Sequence, residues 1–504
     1  MAKIVIVGGG VAGLSTGIYS AMAGHRVTVC ERHRLPGGNL TGWKRRGCMI
    51  DNCIHWLTGT NPVTDTYRMW VELGALGNVK IKRPESLYTY SDGEKSMSLC
   101  RDLDALERKM LFRSPEDRGR TKSLMRAIRL TQTVCGIGGS SHDRSATTGD
   151  YLKVLPFLGK YAFLSTGELA DSFKSELIRG FLRSLLGDEF SSLALIFVFA
   201  HFTAGNADLP DGGSVAMAER MSERFKSLGG ELICGGEVIG AIRTDGKVKG
   251  VMLASGEVIE ADYFVLACDP DPALKKIFSL PMPTGLKLSY RNEKTKRFSS
   301  YQTAFVCSRA ALPFKGDYIF ELDKRYKKLL YADYLILREF SHEPSFSPVG
   351  CSVIQTLTFL DEKSSRSFIE LREKDKEKYA RKKKRLAEGI ERAICMRFPT
   401  LSGRLKLLDV WTPATYQRYT GAAVGSYMSF LLPKGRLPTL ADTKLYGVKN
   451  VFLATQWQRS PGGLPTAAEM GKRCAEEIDA IEKSKAGEQE KIYALFRKRR
   501  REKA

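Results

Sequence analysis

An α/β fold organised around a parallel sheet is predicted by three observations. Lys3 to Glu31 reads as strand, glycine turn, helix and strand in one short unit. Glu231 to Ala267 is rich in further strands, and strand and helix periodicities interleave over much of the remaining chain.

In the opening unit, Ile4 to Val7 is an unbroken apolar run, as expected of a parallel strand buried on both faces. Gly8, Gly10 and Gly13 stand in G-x-G-x-x-G spacing, with Val11 and Ala12 between the last two. The first glycine permits a sharp turn, the second a close approach to a pyrophosphate, and the third close contact of helix with strand. Leu14, Ile18, Ala21 and Met22 then fall at helical spacing, in a helix whose free N–H groups and positive end point at phosphates. Gly24 ends the helix, and Val27 to Val29 form the second strand. Glu31, followed by Arg32, ends that strand, where a carboxylate takes two hydrogen bonds from an unphosphorylated ribose. Strand, helix, second strand and acid in register predict an adenine dinucleotide. The alternative is a plain strand–helix–strand unit whose glycines serve packing alone.

At 504 residues the chain exceeds what one hydrophobic core usually fills, so two joined domains are expected. Its 43% hydrophobic and 27% charged residues are those of a globular protein rather than a mainly disordered one. Lys3 leads directly into the first strand, so no cleaved leader is expected. Leu193 to Ala200, the most lipid-like run, stops at His201 and is far shorter than the roughly 20 residues of a spanning helix. Eleven scattered cysteines fit reduced thiols, and a cytoplasmic location is expected. Cys48, Cys53 and His55 lack a fourth partner at a known spacing, so no metal site is expected.

The net charge of +23 is concentrated partly in two blocks, 381–385 (RKKKR) and 497–501 (RKRRR). No aromatic-interleaved basic strand accompanies them, so no nucleic-acid partner is expected. The first block reads as a solvated face. The second reads as a disordered or helical tail, or as peripheral contact with an anionic membrane surface, with Ile492, Leu495 and Phe496 just ahead of the charges.

Further along, Tyr67 to Leu76 and Leu103 to Phe112 have helical spacing, and Leu87 to Tyr90 and Met97 to Leu99 flank Asp92-Gly93 as a hairpin. The segment 136–145 (GIGGSSHDRS) reads as a loop, because no strand precedes it. Phe181 to Ala200 either fills the core or lines a pocket for an apolar ligand. A helix from Pro210-Asp211-Gly212-Gly213 through Phe225 leads to strands at Glu231 to Cys234, Glu237 to Thr244, Val248 to Ala254 and Val258 to Ala267. Strands are expected at Tyr301 to Ser308 and Cys351 to Leu360, a charged helix from Ser364 to Phe398, and a last helix from Thr466 to Ala480.

Several segments carry a resemblance. Leu35-Pro36-Gly37-Gly38-Asn39 follows the ribose-binding acid. Gly47 to His55 resembles a G-x-x-x-D-x-G-x-H segment, with Cys53 in place of the usual glycine. Thr412-Pro413-Ala414-Thr415-Tyr416-Gln417-Arg418-Tyr419 resembles T-P-x-T-x-x-R-Y, and Ser460-Pro461-Gly462-Gly463-Leu464-Pro465 resembles a C-terminal flavin turn. Together they resemble the FAD-dependent oxidoreductases related to amine oxidases, in particular phytoene desaturases, carotenoid isomerases and retinol saturases.

The resemblance implies a discontinuous Rossmann-like FAD-binding domain (1–75, 205–275 and 432–482), an inserted α+β substrate domain (76–204 and 276–431) and a basic tail (483–504). It implies FAD contacts from Gly8, Gly10, Val11, Ala12, Gly13, Glu31, Arg32, Gly37, Gly38, Asn39, Val238, Ala267, Gly463, Leu464 and Pro465. His55, Arg418 and Tyr419 are the catalytic candidates, each with a structural alternative: a hydrogen-bonded histidine, or a brace for a turn. The implied reaction is desaturation, saturation or isomerisation of an apolar polyene or isoprenoid-type lipid. An amine oxidase and a non-catalytic prenyl-lipid escort are the alternatives. No nucleophile elbow, metal-binding histidine pair or Walker lysine is present, so the cofactor carries the chemistry. Only one dinucleotide unit is found, so electrons are expected to enter or leave at the same flavin face or through a partner, NAD(P) as a soluble donor or acceptor being one option.

Overall fold

Five parallel strands make the sheet that carries the opening unit, in the order Glu231–Cys234, Arg26–Glu31, Lys3–Val7, Tyr263–Leu266 and Val451–Leu453. The structure, a computed structural model, describes residues 1–134, 148–292, 295–431, 434–435, 443–445 and 447–501, with the backbone alone at 148, 150, 151 and 487–501. The glycine-rich segment 136–145 lies outside the described residues. Ile4, Val5, Ile6 and Val7 are all buried: Ile4 and Ile6 pack with the helix Val11–Met22, and Val5 and Val7 with the strands Val238–Thr244 and Lys247–Leu253 on the other face.

The helix Val11–Met22 lies between this sheet and the last helix, Leu464–Arg501. Small residues let the two helices meet: Ser15 Oγ donates to the Ala468 carbonyl at 2.7 Å, and a Cβ on Gly471 would come within 2.6 Å of the Ala12 carbonyl oxygen. The last helix runs well past the expected Ala480. No helix among the described residues is long and apolar enough to cross a membrane.

A second, seven-stranded sheet is built in the order Lys406–Trp411, Phe298–Ser308, Cys351–Asp361, Tyr334–Glu339, Asp317–Glu321, Ser86–Ser91, Ser96–Cys100. It is antiparallel except where Asp317–Glu321 runs beside Ser86–Ser91. The expected hairpin around Asp92-Gly93 forms its edge. The fold is therefore α/β, with a Rossmann-like sheet and an α+β insertion, as the sequence predicts.

Two expected elements are divided. Val258 to Ala267 is two strands: Val258–Glu260 closes a three-stranded meander, and Tyr263–Leu266 enters the parallel sheet. The switch occurs at Asp262, whose N–H donates to the Lys3 carbonyl and whose carboxylate accepts the Lys3 N–H at 2.7 Å. The charged helix is likewise two, Glu362–Lys374 and Lys376–Arg397. Asp375 leaves helical geometry (φ −151°, ψ 92°) and caps the second helix by accepting the Lys378 N–H at 2.8 Å.

Asp51, fully buried at the end of strand Cys48–Asp51, joins the two sheets. Its carboxylate accepts from the Ser214 N–H (2.6 Å), the Ser214 hydroxyl (2.5 Å) and the Cys53 N–H (3.1 Å). Ser214 opens the helix Gly213–Ser227, which has no local side-chain cap, so the distant carboxylate meets its positive end. Gln355, from the centre of the second sheet, donates to the Asp51 carbonyl (2.7 Å) and accepts the Asp51 N–H (2.9 Å). Asp51→Ala leaves the Ser214 and Cys53 donors buried without the carboxylate, and is expected to lower stability by about 3 kcal/mol or more in chemical denaturation.

Candidate functional site

The glycine turn after the first strand is held by close approach. A Cβ on Gly13 would sit 1.9 Å from the Gly8 carbonyl oxygen, so only glycine lets the helix start this near the strand. The Gly37 N–H donates to the Gly9 carbonyl at 2.8 Å, which sets the Gly37-Gly38 turn against the fingerprint turn. Gly37 has φ +122°, and a Cβ there would meet the Leu40 carbonyl oxygen at 2.3 Å. Glu31 is buried, and its carboxylate accepts the N–H of Gly9 (2.8 Å) and of His33 (2.9 Å). Each oxygen keeps a lone pair for a further donor.

Around this turn, Arg32 Nη2 donates to the Arg418 carbonyl at 2.6 Å. The His33 ring stacks on Tyr419 at 4.0 Å, and the Tyr419 hydroxyl lies 3.1 Å from Thr41 Oγ1. Tyr419 sits in the last turn of the helix Pro413–Thr420, whose start is fixed by the Thr412–Thr415 capping box. Arg418 is exposed and outside the cavity lining, so of the two neighbours the structure brings only Tyr419 to the cavity.

A cavity of about 1130 Å³ connects these loops with an apolar chamber. Gly8, Gly10, Val11, Ala12, Glu31, Arg32, Gly37, Gly38, Asn39, Val238, Ala267, Gly463, Leu464 and Pro465 all line it, whereas Gly13 lies behind the wall. The volume exceeds the roughly 300–1,000 Å³ of ordinary small-molecule pockets, as a site for two ligands requires. One chamber wall is the second sheet, where alternate positions face inward: Asp317 and Ile319, Leu357 and Phe359. Another is the helix Ser192–Thr203, which presents Ala194, Phe197, Val198 and His201 at i, i+3, i+4 and i+7, while Leu195, Ile196 and Phe199 fill the core behind. Both sequence readings of this apolar stretch are therefore realised, one on each face.

His55 lines the cavity. Burial and the nearby Arg338 guanidinium hold its imidazole well below the ordinary range, so it is neutral. Arg338 is itself buried: it donates to the Ile54 carbonyl (2.9 Å) and pairs with Asp317 at 3.3 Å. Burial raises Asp317 above the usual carboxylate range, and Arg338 opposes that rise. Burial also pushes the Cys53 and Cys268 thiols, both lining the cavity, up to about 12. Among the described residues no three histidine, cysteine or acidic side chains gather as a metal site.

At the C-terminal turn the expected free N–H groups are fewer than the motif suggests. The Gly463 N–H is engaged by Gln456 Oε1 at 2.9 Å, and Pro465 has none. The Leu464 and Thr466 N–H groups remain as the donors that open the helix.

The residues present fit an adenine dinucleotide carrying a flavin. Asn39 and Asn52, both on the cavity wall, each hold a buried Oδ1 without a partner among the described residues, and Glu31 keeps spare lone pairs. The sequence model of the family described as flavin containing amine oxidoreductase matches residues 11–300, more than half of the chain. The chain belongs to this family. It is accordingly an FAD-dependent oxidoreductase. Among its relatives, a 4,4′-diapolycopene oxygenase from Methylomonas sp is 20% identical over 95% of this chain and 98% of its own length. A lycopene-forming phytoene desaturase from Pseudescherichia vulneris is 23% identical, covering 71% and 76% respectively. A chloroplastic prolycopene isomerase from Daucus carota is 22% identical, covering 94% and 80%. Among solved structures, an oxidoreductase from Methanosarcina mazei superposes with TM-score 0.59 at 15% identity, over 94% of this chain and all of its own. Cyclohexylamine oxidase from Brevibacterium oxydans does so with TM-score 0.56 at 15% identity, over 96% and 99%.

Sequence reasoning did not assign Asn52, Gln302 or His201 to the site, all on the cavity wall. For His201 the signal was present, as the polar residue that ends an apolar run. Gln302 gave none, because strand polarity alone does not say which way a side chain faces. Glu31→Ala is expected to weaken FAD retention about 10- to 100-fold, read by flavin fluorescence during dialysis.

Proposed function

We propose that the protein acts on a carbon–carbon bond of an apolar polyene or isoprenoid-type lipid, by desaturation, saturation or isomerisation. The observation that carries this reading is the continuity of one cavity from the glycine turns into a chamber of aromatic and branched aliphatic side chains. Bound FAD supplies hydride acceptance and donation at a ring nitrogen.

In this reading Glu31 takes the ribose hydroxyls, and the N–H groups of Val11, Ala12 and Gly13 meet the pyrophosphate, with Gly8 and Gly10 leaving it room. Gly37, Gly38 and Asn39 back the cofactor, Val238 and Ala267 border the adenosine, and Gly463, Leu464 and Pro465 turn the chain at the isoalloxazine. Arg32, anchored on the Arg418 carbonyl, places positive charge beside the phosphates. Segments 1–75, 205–275 and 432–482 hold the cofactor, and 76–204 and 276–431 supply the chamber. The chamber orients the substrate and excludes water. His55 faces it as a neutral imidazole, whereas Tyr419 braces His33 and Arg418 acts through its backbone.

The relatives named for diapolycopene, phytoene and prolycopene support a polyene. An amine substrate is disfavoured by the chamber's charge: Asp317 is neutralised by Arg338, and of the tilted Tyr416–Tyr427 pair only Tyr427 lines the cavity. The test is anaerobic photoreduction of the FAD-loaded protein, followed by addition of carotenoids, retinoids and amines. Reoxidation by a polyene, reduction of oxidised flavin by one, or cis–trans isomerisation of one on the reduced protein without net flavin oxidation, is expected. Turnover of amines with peroxide release and no response to any polyene would overturn the reading.

A further inference from the structure

On the cavity face of the helix Ser192–Thr203, Ala194, Phe197 and Val198 are joined by one polar side chain, His201. Its ring is held by Asn206, whose Nδ2 lies 3.0 Å from His201 Nδ1. The orientation of that amide follows from the backbone, because Asn206 Oδ1 accepts the Asn61 N–H at 3.0 Å. Nδ2 is then the donor, Nδ1 of His201 accepts, and the ring proton resides on Nε2. Among the described residues no hydrogen bond engages that Nε2–H, although the residue lines the cavity.

We propose that His201 Nε2–H recognises an oxygen atom on the substrate, so the ligand is a polyene or isoprenoid lipid bearing a carbonyl or hydroxyl group rather than a pure hydrocarbon. This rests on the polyene reading above and specifies its substrate. Burial pushes the imidazole down to about 4, so it presents a neutral donor throughout the neutral range. A neutral N–H suits a neutral oxygen acceptor and offers nothing to an ammonium. Arg338 already occupies the Asp317 carboxylate on the sheet wall, at 3.3 Å. A hydrocarbon in this chamber would strip water from Nε2–H and return no acceptor. Sites with a buried donor discriminate strongly for this reason. Asn206 lies between the strand Ala207–Pro210 and the turn at Asn61, so the donor is positioned by rigid backbone rather than by the ligand.

The FAD-loaded protein is titrated with all-trans-retinal and with axerophthene, the hydrocarbon of the same skeleton, by quenching of tryptophan fluorescence. Wild type is expected to bind retinal about tenfold more tightly than axerophthene, the preference that one neutral hydrogen bond provides. His201→Phe levels the two affinities, His201→Gln, which keeps an N–H donor, restores part of the difference, and the retinal carbonyl stretch is lowered only where a donor is present. Equal affinities in wild type, or an undiminished preference in His201→Phe, would overturn the inference while leaving the polyene reading intact. Failure of both probes to bind would overturn the polyene reading, and the inference with it. The wild-type comparison needs no variant and decides the question even where His201→Phe does not fold.

Discussion

The architecture depends on the buried carboxylate of Asp51. It gathers the start of the helix Gly213–Ser227 and the turn at Cys53, while the Asp51 backbone N–H and carbonyl hold Gln355 in the middle of strand Cys351–Asp361, so that one residue ties three elements of different layers. A buried ion without a counterion is costly unless hydrogen bonds and dipoles replace its hydration. Here the helix end, three N–H groups and a hydroxyl converge on the carboxylate. The parallel sheet and the seven-stranded sheet are thereby fixed relative to each other, and the cavity lies where they meet.

That geometry has chemical consequences. The glycine turns bring backbone close to one part of the cavity, while alternate residues of the second sheet and one face of the helix Ser192–Thr203 make the other part apolar. Burial then governs the ionisable groups left inside. His55 and His201 lose their charge, the Cys53 and Cys268 thiols keep their protons, and Asp317 is tied to Arg338. The chamber thus presents few charges to a ligand, and the polar atoms that remain act by direction rather than by net charge.

Much of this was legible in the sequence where interactions are local. The strand Lys3–Val7, the helix Val11–Met22 and the strand Arg26–Glu31 follow from apolar runs and glycine spacing, and the hairpin at Asp92-Gly93 from its turn residues. The breaks at Asp375 and at Ala261-Asp262 were not legible: Asp375 stands in a charged run with no glycine or proline to mark an end, and neither a side-chain cap nor a change of sheet has a periodicity of its own. Asp51 stood in a recognisable segment, yet its partners Ser214 and Gln355 lie 163 and 304 residues away. The helix Ser192–Thr203 posed another difficulty: apolar on both faces, it gave no sign of which residues meet the core and which the cavity.

The central claim is that one cavity holds the dinucleotide along the glycine turns and the lipid against the helix Ser192–Thr203. A crystal structure of the protein with FAD tests it most directly. The account predicts the adenosine ribose on Glu31 and the isoalloxazine beside Gly463 and Leu464, with its open face toward Phe197 and His201. FAD bound with its ring system away from that chamber, or with its ribose elsewhere than Glu31, would contradict it.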